Sequence, residues 1–105
     1  MAEKTFGGAT VTVDDDGFLT DPGQWTKEVA EGMAKDVGID ALTDRHWVVI
    51  DFLRQDAVDQ GEPPGVRRIT KLTDVSMKEI YQLFPKGPGI LASKISGHGK
   101  PQGCV

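Results

Sequence analysis

The sequence predicts a mainly α fold of the α+β kind: an N-terminal β-hairpin, a small bundle of short helices with a helix-turn-helix-like pair, and a flexible C-terminal arm. Three observations predict it. Helix-start signals recur at Asp21, at Thr43 or Asp44, and at Ser76, each followed by apolar residues at helical spacing. Strand-like alternation of β-branched residues is confined to the stretch just after Ala9. The last eleven residues, Ile95 to Val105, hold three glycines and a proline against two β-branched apolar side chains, too little apolar area to order them.

Taken in order, residues 9–20 alternate as Ala-Thr-Val-Thr-Val and then reach Asp-Asp-Asp-Gly, which predicts a hairpin turned at Asp15 to Gly17. The acidic cluster invites a calcium loop. With Gly17 at that loop's sixth position, however, Thr12 and Gly23 occupy the first and twelfth, where Asp and Glu are required. Asp21, Pro22 and Gln24 predict a capped helix start, with Trp25, Val29, Met33 and Val37 as one apolar stripe and Gly38 as the stop. The longest helix is expected from Thr43 or Asp44 to about Gln60. Its inner face carries His46 or Trp47, Ile50, Leu53 or Arg54, and Ala57, and Gly61 with Pro63-Pro64 ends it. His46 is read as a hydrogen-bonded packing residue.

A short basic helix from Gly65 to about Leu72 and a tight turn at Thr73-Asp74 come next. Ser76-Met77-Lys78-Glu79 is a capping box, and Val75 with Ile80 makes the matching hydrophobic staple. The helix Met77 to Phe84 stops before Pro85. After the bend at Pro85 to Gly89, Ile90 to Ile95 forms a short apolar turn of helix that launches the arm. The glycines there lack the spacing of a phosphate loop, and neither His46 nor His98 has a second ligand at metal-binding spacing. No cofactor or metal is expected.

Length and charge bound the function. One hundred and five residues make one domain, divided here into a compact head (1–94) and a mobile arm (95–105). A single cysteine excludes an internal disulfide, no signal segment opens the chain, and no apolar run approaches the roughly twenty residues of a membrane span. A soluble, cytoplasmic protein is expected, where a reduced thiol survives. The net charge of -4 is uneven: residues 1–61 hold 5 Lys/Arg and 13 Asp/Glu, residues 62–105 hold 7 and 3. The basic second half suits an acidic protein surface, an anionic sulfur substrate or nucleic acid. The second helix of the helix-turn-helix-like pair offers Lys78, Glu79, Tyr81 and Gln82 and no Arg, a poor set for reading bases, so nucleic acid is not the expected partner.

The candidate functional residue is Cys104, one position from the end. Extended, eleven residues reach roughly 35 Å, enough to carry its thiol into a cleft on another protein. The plain alternative is an incidental exposed thiol. Against it stands the placement of the chain's one cysteine on a Gly/Pro/Lys tether, where it is open to oxidation, and not in the core, where a free cysteine serves as a small hydrophobe.

Trp25, His46-Trp47, Ile50, Phe52-Leu53, the run Pro64-Gly65-Val66-Arg67 with Lys71, the block Leu83-Phe84-Pro85-Lys86-Gly87-Pro88, and the ending Gly97, Lys100-Pro101, Gly103-Cys104-Val105 are together similar to the DsrC/TusE family, whose members include the gamma subunit of dissimilatory sulfite reductase. The resemblance implies a small orthogonal helical bundle with a hairpin, a helix-turn-helix-like segment and a flexible arm. It also implies a function: carrying sulfur as a persulfide on Cys104, between a donor sulfurtransferase and an acceptor enzyme. That acceptor would be sulfite reductase or another sulfur-handling complex, a membrane-bound complex included. Full DsrC proteins have a second arm cysteine at the position of Ser93, so this chain can form no intramolecular disulfide or trisulfide, and the resemblance shifts toward TusE-like relay by exchange alone. The arm has Gly97-His98-Gly99-Lys100-Pro101 where the family usually has Gly-Leu-Pro-Lys-Pro. The stretch between Lys71 and Tyr81 is short, as in the sulfite-reductase-associated members.

On this reading the thiolate of Cys104 is the reacting group, and a free cysteine titrating near about 8.5 needs help from cations or from the partner's active site. Lys100 lies on the arm, while Arg67, Arg68 and Lys71 form a candidate docking or anion-recognition patch. The chain reads as a sulfurtransferase-type carrier and not as an enzyme with its own pocket. Its rivals are a helix-turn-helix DNA-binding regulator and a non-catalytic accessory subunit of sulfite reductase.

Overall fold

A computed structural model of the chain describes residues 2–98. Strands β1 (Ala2–Phe6) and β2 (Ala9–Val13) precede helices α1 (Lys27–Asp36), α2 (Asp44–Gln60), α3 (Val66–Leu72), α4 (Met77–Leu83) and α5 (Pro88–Ile95). The fold is mainly α, as expected. Helix α5 packs against α1, α2 and α4, and the hairpin lies over α1. Val29, Met33, Ile50, Leu53, Ile69, Ile80, Phe84 and Ile95 are all buried in one shared core. Among the described residues no helix is long and apolar enough to cross a membrane.

The hairpin is one turn earlier than the sequence predicts. β1 and β2 pair antiparallel from Ala2↔Val13 to Phe6↔Ala9, and the turn is Gly7-Gly8, with φ of 57° and 82°. Positive φ at both central residues is the geometry that matches strand twist in a two-residue loop. The expected turn at Asp15 to Gly17 exists, but it closes only a single Val13↔Leu19 bridge. There Asp14 Oδ1 accepts from the Asp16 and Phe18 N–H groups at 2.9 and 3.0 Å. The acidic cluster is thus turn chemistry that folds Phe18 and Leu19 inward. β1 carries no strand signal in the sequence, because it is exposed except at Phe6 and lacks apolar alternation.

The helix expected from Asp21 onward also divides. Asp21 caps a single 3₁₀ turn, Pro22–Gln24, by accepting from Gly23 N–H, and Trp25 is extended (φ -70°, ψ 136°). Thr26 is the N-cap of α1. Gln24 makes no capping box; its Oε1 accepts from Thr12 N–H at 2.8 Å and ties the turn to β2. Tertiary hydrogen bonding has overridden a local signal.

Helix α2 runs as the sequence predicts, from the Thr43 cap to Gly61 at φ 81°. His46 closes its capping box in the role usually held by Glu or Gln: Nδ1 accepts from Thr43 N–H at 3.0 Å. A backbone N–H can only donate, so the ring proton sits on Nε2, which donates to Leu83 O at 2.9 Å. The ring also meets Phe84 edge-on, 5.2 Å between centroids. His46 is therefore a packing residue that joins the start of α2 to the end of α4. Beside it Arg45 donates to both Glu79 carboxylate oxygens, at 2.8 and 2.7 Å, and to Asp74 Oδ2 at 3.1 Å. Ser76 caps α4 as expected, but Glu79 turns to Arg45 and does not complete the box.

Gly32, inside α1, offers a test of the hairpin's seat. In a free helix Gly→Ala is stabilising by about 0.5–1 kcal/mol, yet here a Cβ would stand 2.8 Å from Phe6 Cβ and 3.1 Å from Gly7 N. Gly32→Ala is expected to lower stability by about 1–3 kcal/mol, read from the urea midpoint. A midpoint unchanged or raised would show that β1 does not rest on α1.

Candidate functional site

An α-helix ends with carbonyls that have no partner in the next turn, and at the end of α5 they are met from three parts of the chain. His98 N–H donates to Ser93 O at 3.3 Å and Gly97 N–H to Lys94 O at 3.1 Å. These are the two bonds of a Schellman cap, with Gly97 at φ 80° as its left-handed residue. Ser96 Oγ donates to Ser93 O at 2.9 Å. Trp25 Nε1 donates to Ile95 O at 2.8 Å, and Arg54 Nη1 to Ser96 O at 2.6 Å. The end of α5 is held by Trp25 just after the 3₁₀ turn, by Arg54 of α2 and by its own cap.

The same side chains stack. The Arg54 guanidinium lies 3.9 Å from the Trp25 ring centroid, and Trp25 meets Trp47 edge-on at 6.5 Å. Lys27 Nζ stands 5.9 Å from the Trp47 centroid. Burial lowers the Arg54 pKa, opposed by Asp51, and a guanidinium remains charged all the same. It therefore places a positive charge at the negative end of the α5 dipole. No side chain could follow Gly97 into this space: a Cβ there would come within 2.4 Å of Trp25 Cδ1.

His98, the last described residue, is half-buried, and its Nε2 is buried with no hydrogen-bond partner among the described residues. Burial, and next the Arg54 charge, lowers its pKa from the ordinary 6.5. Ser93 is fully buried on α5. No group of three or more His, Cys, Asp or Glu able to hold a metal occurs among the described residues. The arrangement anchors and orients a segment of chain, and its groups are engaged in holding.

The family model described as DsrC-like protein matches residues 5–105. The chain belongs to the DsrC-like family. It is 42% identical over 105 residues, all of both chains, to the dissimilatory-type sulfite reductase subunit gamma of Nitratidesulfovibrio vulgaris. It is 36% identical over 107 residues to the sulfurtransferase TusE of Pectobacterium atrosepticum, covering 95% of this chain and 97% of that one. Among solved structures, the DsrC/gamma subunit of Pyrobaculum aerophilum sulfite reductase superposes with a TM-score of 0.83 at 39% identity, over 99% of this chain and 95% of that one.

Within this DsrC-like chain the residues singled out from sequence fall into three groups. Cys104, Lys100, Pro101, Gly103 and Val105 lie outside the described residues. Arg67 and Lys71 are exposed, four residues apart on α3. Arg68 leaves the anticipated patch: its Nε and Nη2 donate to Asp56 at 2.8 and 2.9 Å, neutralising a carboxylate whose side chain is 8% exposed. Ile95, Ser96 and Gly97, grouped with the arm on composition, are buried in the head. Their order comes from Trp25 and Arg54, which the composition of the segment does not contain. The anchor itself was missed. Its one sequence signal was a cation, Arg54, on the inner face of α2, where a buried carbonyl is the fitting partner.

Two outcomes follow for the DsrC-like anchor. Gly97→Ala is expected to displace the Trp25 indole and lower the urea midpoint, with a change in Trp fluorescence; an unchanged midpoint and spectrum would show that the indole does not rest on Gly97. His98, with its folded pKa lowered, favours folding above pH 6.5, and that contribution is lost as pH falls below 6.5 toward the lower folded value. The His98 Cε1 proton should therefore titrate below 6.5 in an NMR series, and His98→Leu should flatten the pH dependence of stability there. A midpoint at or above 6.5 would place the imidazole in water.

Proposed function

We propose that this protein is a sulfur carrier whose Cys104 takes up persulfide sulfur from a donor and passes it to an acceptor enzyme. The observation that carries this reading is the family match, which runs through residue 105 and takes in the relatives named as a sulfurtransferase and as a sulfite reductase subunit. The Cys104 thiolate attacks the outer sulfur of the donor's persulfide, forming a new S–S bond. The donor's S–S bond breaks and its inner sulfur departs as a thiolate, so electrons balance without an external oxidant. Handing on repeats the exchange in the other direction.

Two features of the chain support exchange over a disulfide cycle. Cys104 is its single cysteine, and the position of the family's second cysteine holds Ser93, whose hydroxyl cannot form an S–S bond. The anchor at Trp25, Arg54 and Gly97 is consistent with that reading, since it holds the chain as far as His98, six residues before the thiol in sequence. Lys100 is the cation nearest Cys104 in sequence, and the partner's active site supplies the further activation that the thiol needs. The partners are a donor sulfurtransferase and a sulfite reductase or other sulfur-relay acceptor. The setting is the cytoplasm, where thiols stay reduced.

Incubation of the full chain with a persulfide donor is expected to add the mass of one sulfur atom, localised to Cys104 by fragmentation, reversed by a thiol reductant and abolished in Cys104→Ser. Absence of the adduct at the wild-type thiol would overturn the carrier reading.

A further inference from the structure

The bonds that close the end of α5 are of two kinds. Ile95 O and Ser96 O are held by side chains from elsewhere in the chain, Trp25 Nε1 at 2.8 Å and Arg54 Nη1 at 2.6 Å. The other two depend on the backbone after Ser96: Gly97 N–H to Lys94 O at 3.1 Å and His98 N–H to Ser93 O at 3.3 Å. Ser93 O also accepts from Ser96 Oγ at 2.9 Å, so loss of the His98 bond leaves it satisfied. Lys94 is half-buried, and its carbonyl is the single one left for water to meet. The last turn can therefore part at Gly97 at small cost while the rest of the anchor stays in place.

Closing these two bonds carries the His98 ring into the head, with Nε2 buried and without a hydrogen-bond partner among the described residues. A neutral imidazole tolerates this by carrying its proton on Nδ1, whereas an imidazolium must donate from both nitrogens. Protonation would thus leave a charged N–H buried without an acceptor, which is costly. The charged groups of the elements that meet here are Arg54 and Asp51 of α2, Lys27 at the start of α1 and Lys94 of α5. Arg54 acts on His98 directly and repels its charged form, and Asp51 acts on Arg54. Lys27 and Lys94 turn to the rings of Trp47 and Phe18, at 5.9 and 5.2 Å. None of these is an acid that would hold the imidazolium in place.

We propose that the last turn of α5 is an acid-opened cap: protonation of His98 expels its ring from beside Arg54 and breaks the Gly97 and His98 bonds, while Trp25 and Arg54 keep hold of Ile95 and Ser96. The proton comes from solvent and returns to it as pH rises. The closed ring binds a proton less readily than the open one, whose ordinary value is 6.5, so acid favours the open form. The opening equilibrium gains up to about tenfold per pH unit below that value and levels off once the closed ring itself titrates. The device belongs to the head and stands independently of the carrier reading.

The test is hydrogen exchange of the full chain followed by NMR between about pH 8 and 5, each rate taken against the intrinsic rate at the same pH. Protection of the Gly97 and His98 amides is expected to fall below pH 6.5, by up to about tenfold per unit. Ser96 N–H, which donates to Ala92 O, and Trp25 Nε1–H should keep theirs. The Gly97 amide shift and the His98 Cε1 proton should share one midpoint. His46, the other histidine, reports separately at Thr43 N–H, which donates to its Nδ1. In His98→Leu, whose side chain takes no proton, protection at Gly97 should be independent of pH, with the urea midpoint at pH 8 showing that the variant is folded. Wild-type protection unchanged across the range would overturn the proposal, as would a fall that persists in folded His98→Leu. If that variant does not fold, the wild-type series decides: separate midpoints for Gly97 and His98 overturn the proposal. Loss of Trp25 Nε1–H protection in step with Gly97 also overturns it, since the whole anchor would then be opening.

Discussion

The constraint on which the arrangement depends is the need of α5 to satisfy its last carbonyls inside the protein. Ile95 and Ser96 are fully buried, so water cannot serve their oxygens. The indole of Trp25 and the guanidinium of Arg54 serve them instead, and the Schellman cap serves Ser93 and Lys94. Each of these donors is held in turn: Arg54 by stacking on Trp25, and Trp25 by packing against Gly97 and Trp47. The result is a firmly held end of α5, tied to the turn before α1 and to the middle of α2.

Helix α2 acts as the spine that links this anchor to α3 and α4. Its first turn, through Arg45 and His46, holds Asp74, Glu79 and the end of α4, and its middle, through Arg54, holds the end of α5. Further along, Asp56 takes Arg68. Polar groups of one helix thus fix the positions of three others. Ion pairing inside this framework also engages the acids of α4 and its preceding turn, Asp74 and Glu79 with Arg45, while among the described residues no ion pair engages Arg67, Lys71, Lys78 or Lys86.

Function in this protein is divided between placement and chemistry. The described residues form the helical framework and the anchor at the end of α5. The proposed reaction, exchange of a sulfur atom between thiolates, makes few demands on a surrounding pocket. Ser93 illustrates the division: it is buried on α5, directly before the anchored turn, and its carbonyl takes part in the cap. The head at this position contributes architecture.

Sequence alone determined the elements whose signals are local. Thr43 and Gly61 bound α2, Ser76 caps α4, and the apolar positions Val29, Met33, Ile50, Leu53 and Ile80 are core, because caps and helical periodicity act over a few residues. The run of motifs ending at Cys104 pointed to the family in the same way. Tertiary structure alone decided what depends on partners distant in the chain. β1 is a strand because β2 pairs with it. Gln24 leaves its capping role for Thr12, and Glu79 leaves its own for Arg45. The exit of α5 is fixed by Trp25, 70 residues away, and by Arg54, 42 residues away. A buried carbonyl takes whichever donor the packing brings to it, and no pattern along the chain records which one that will be.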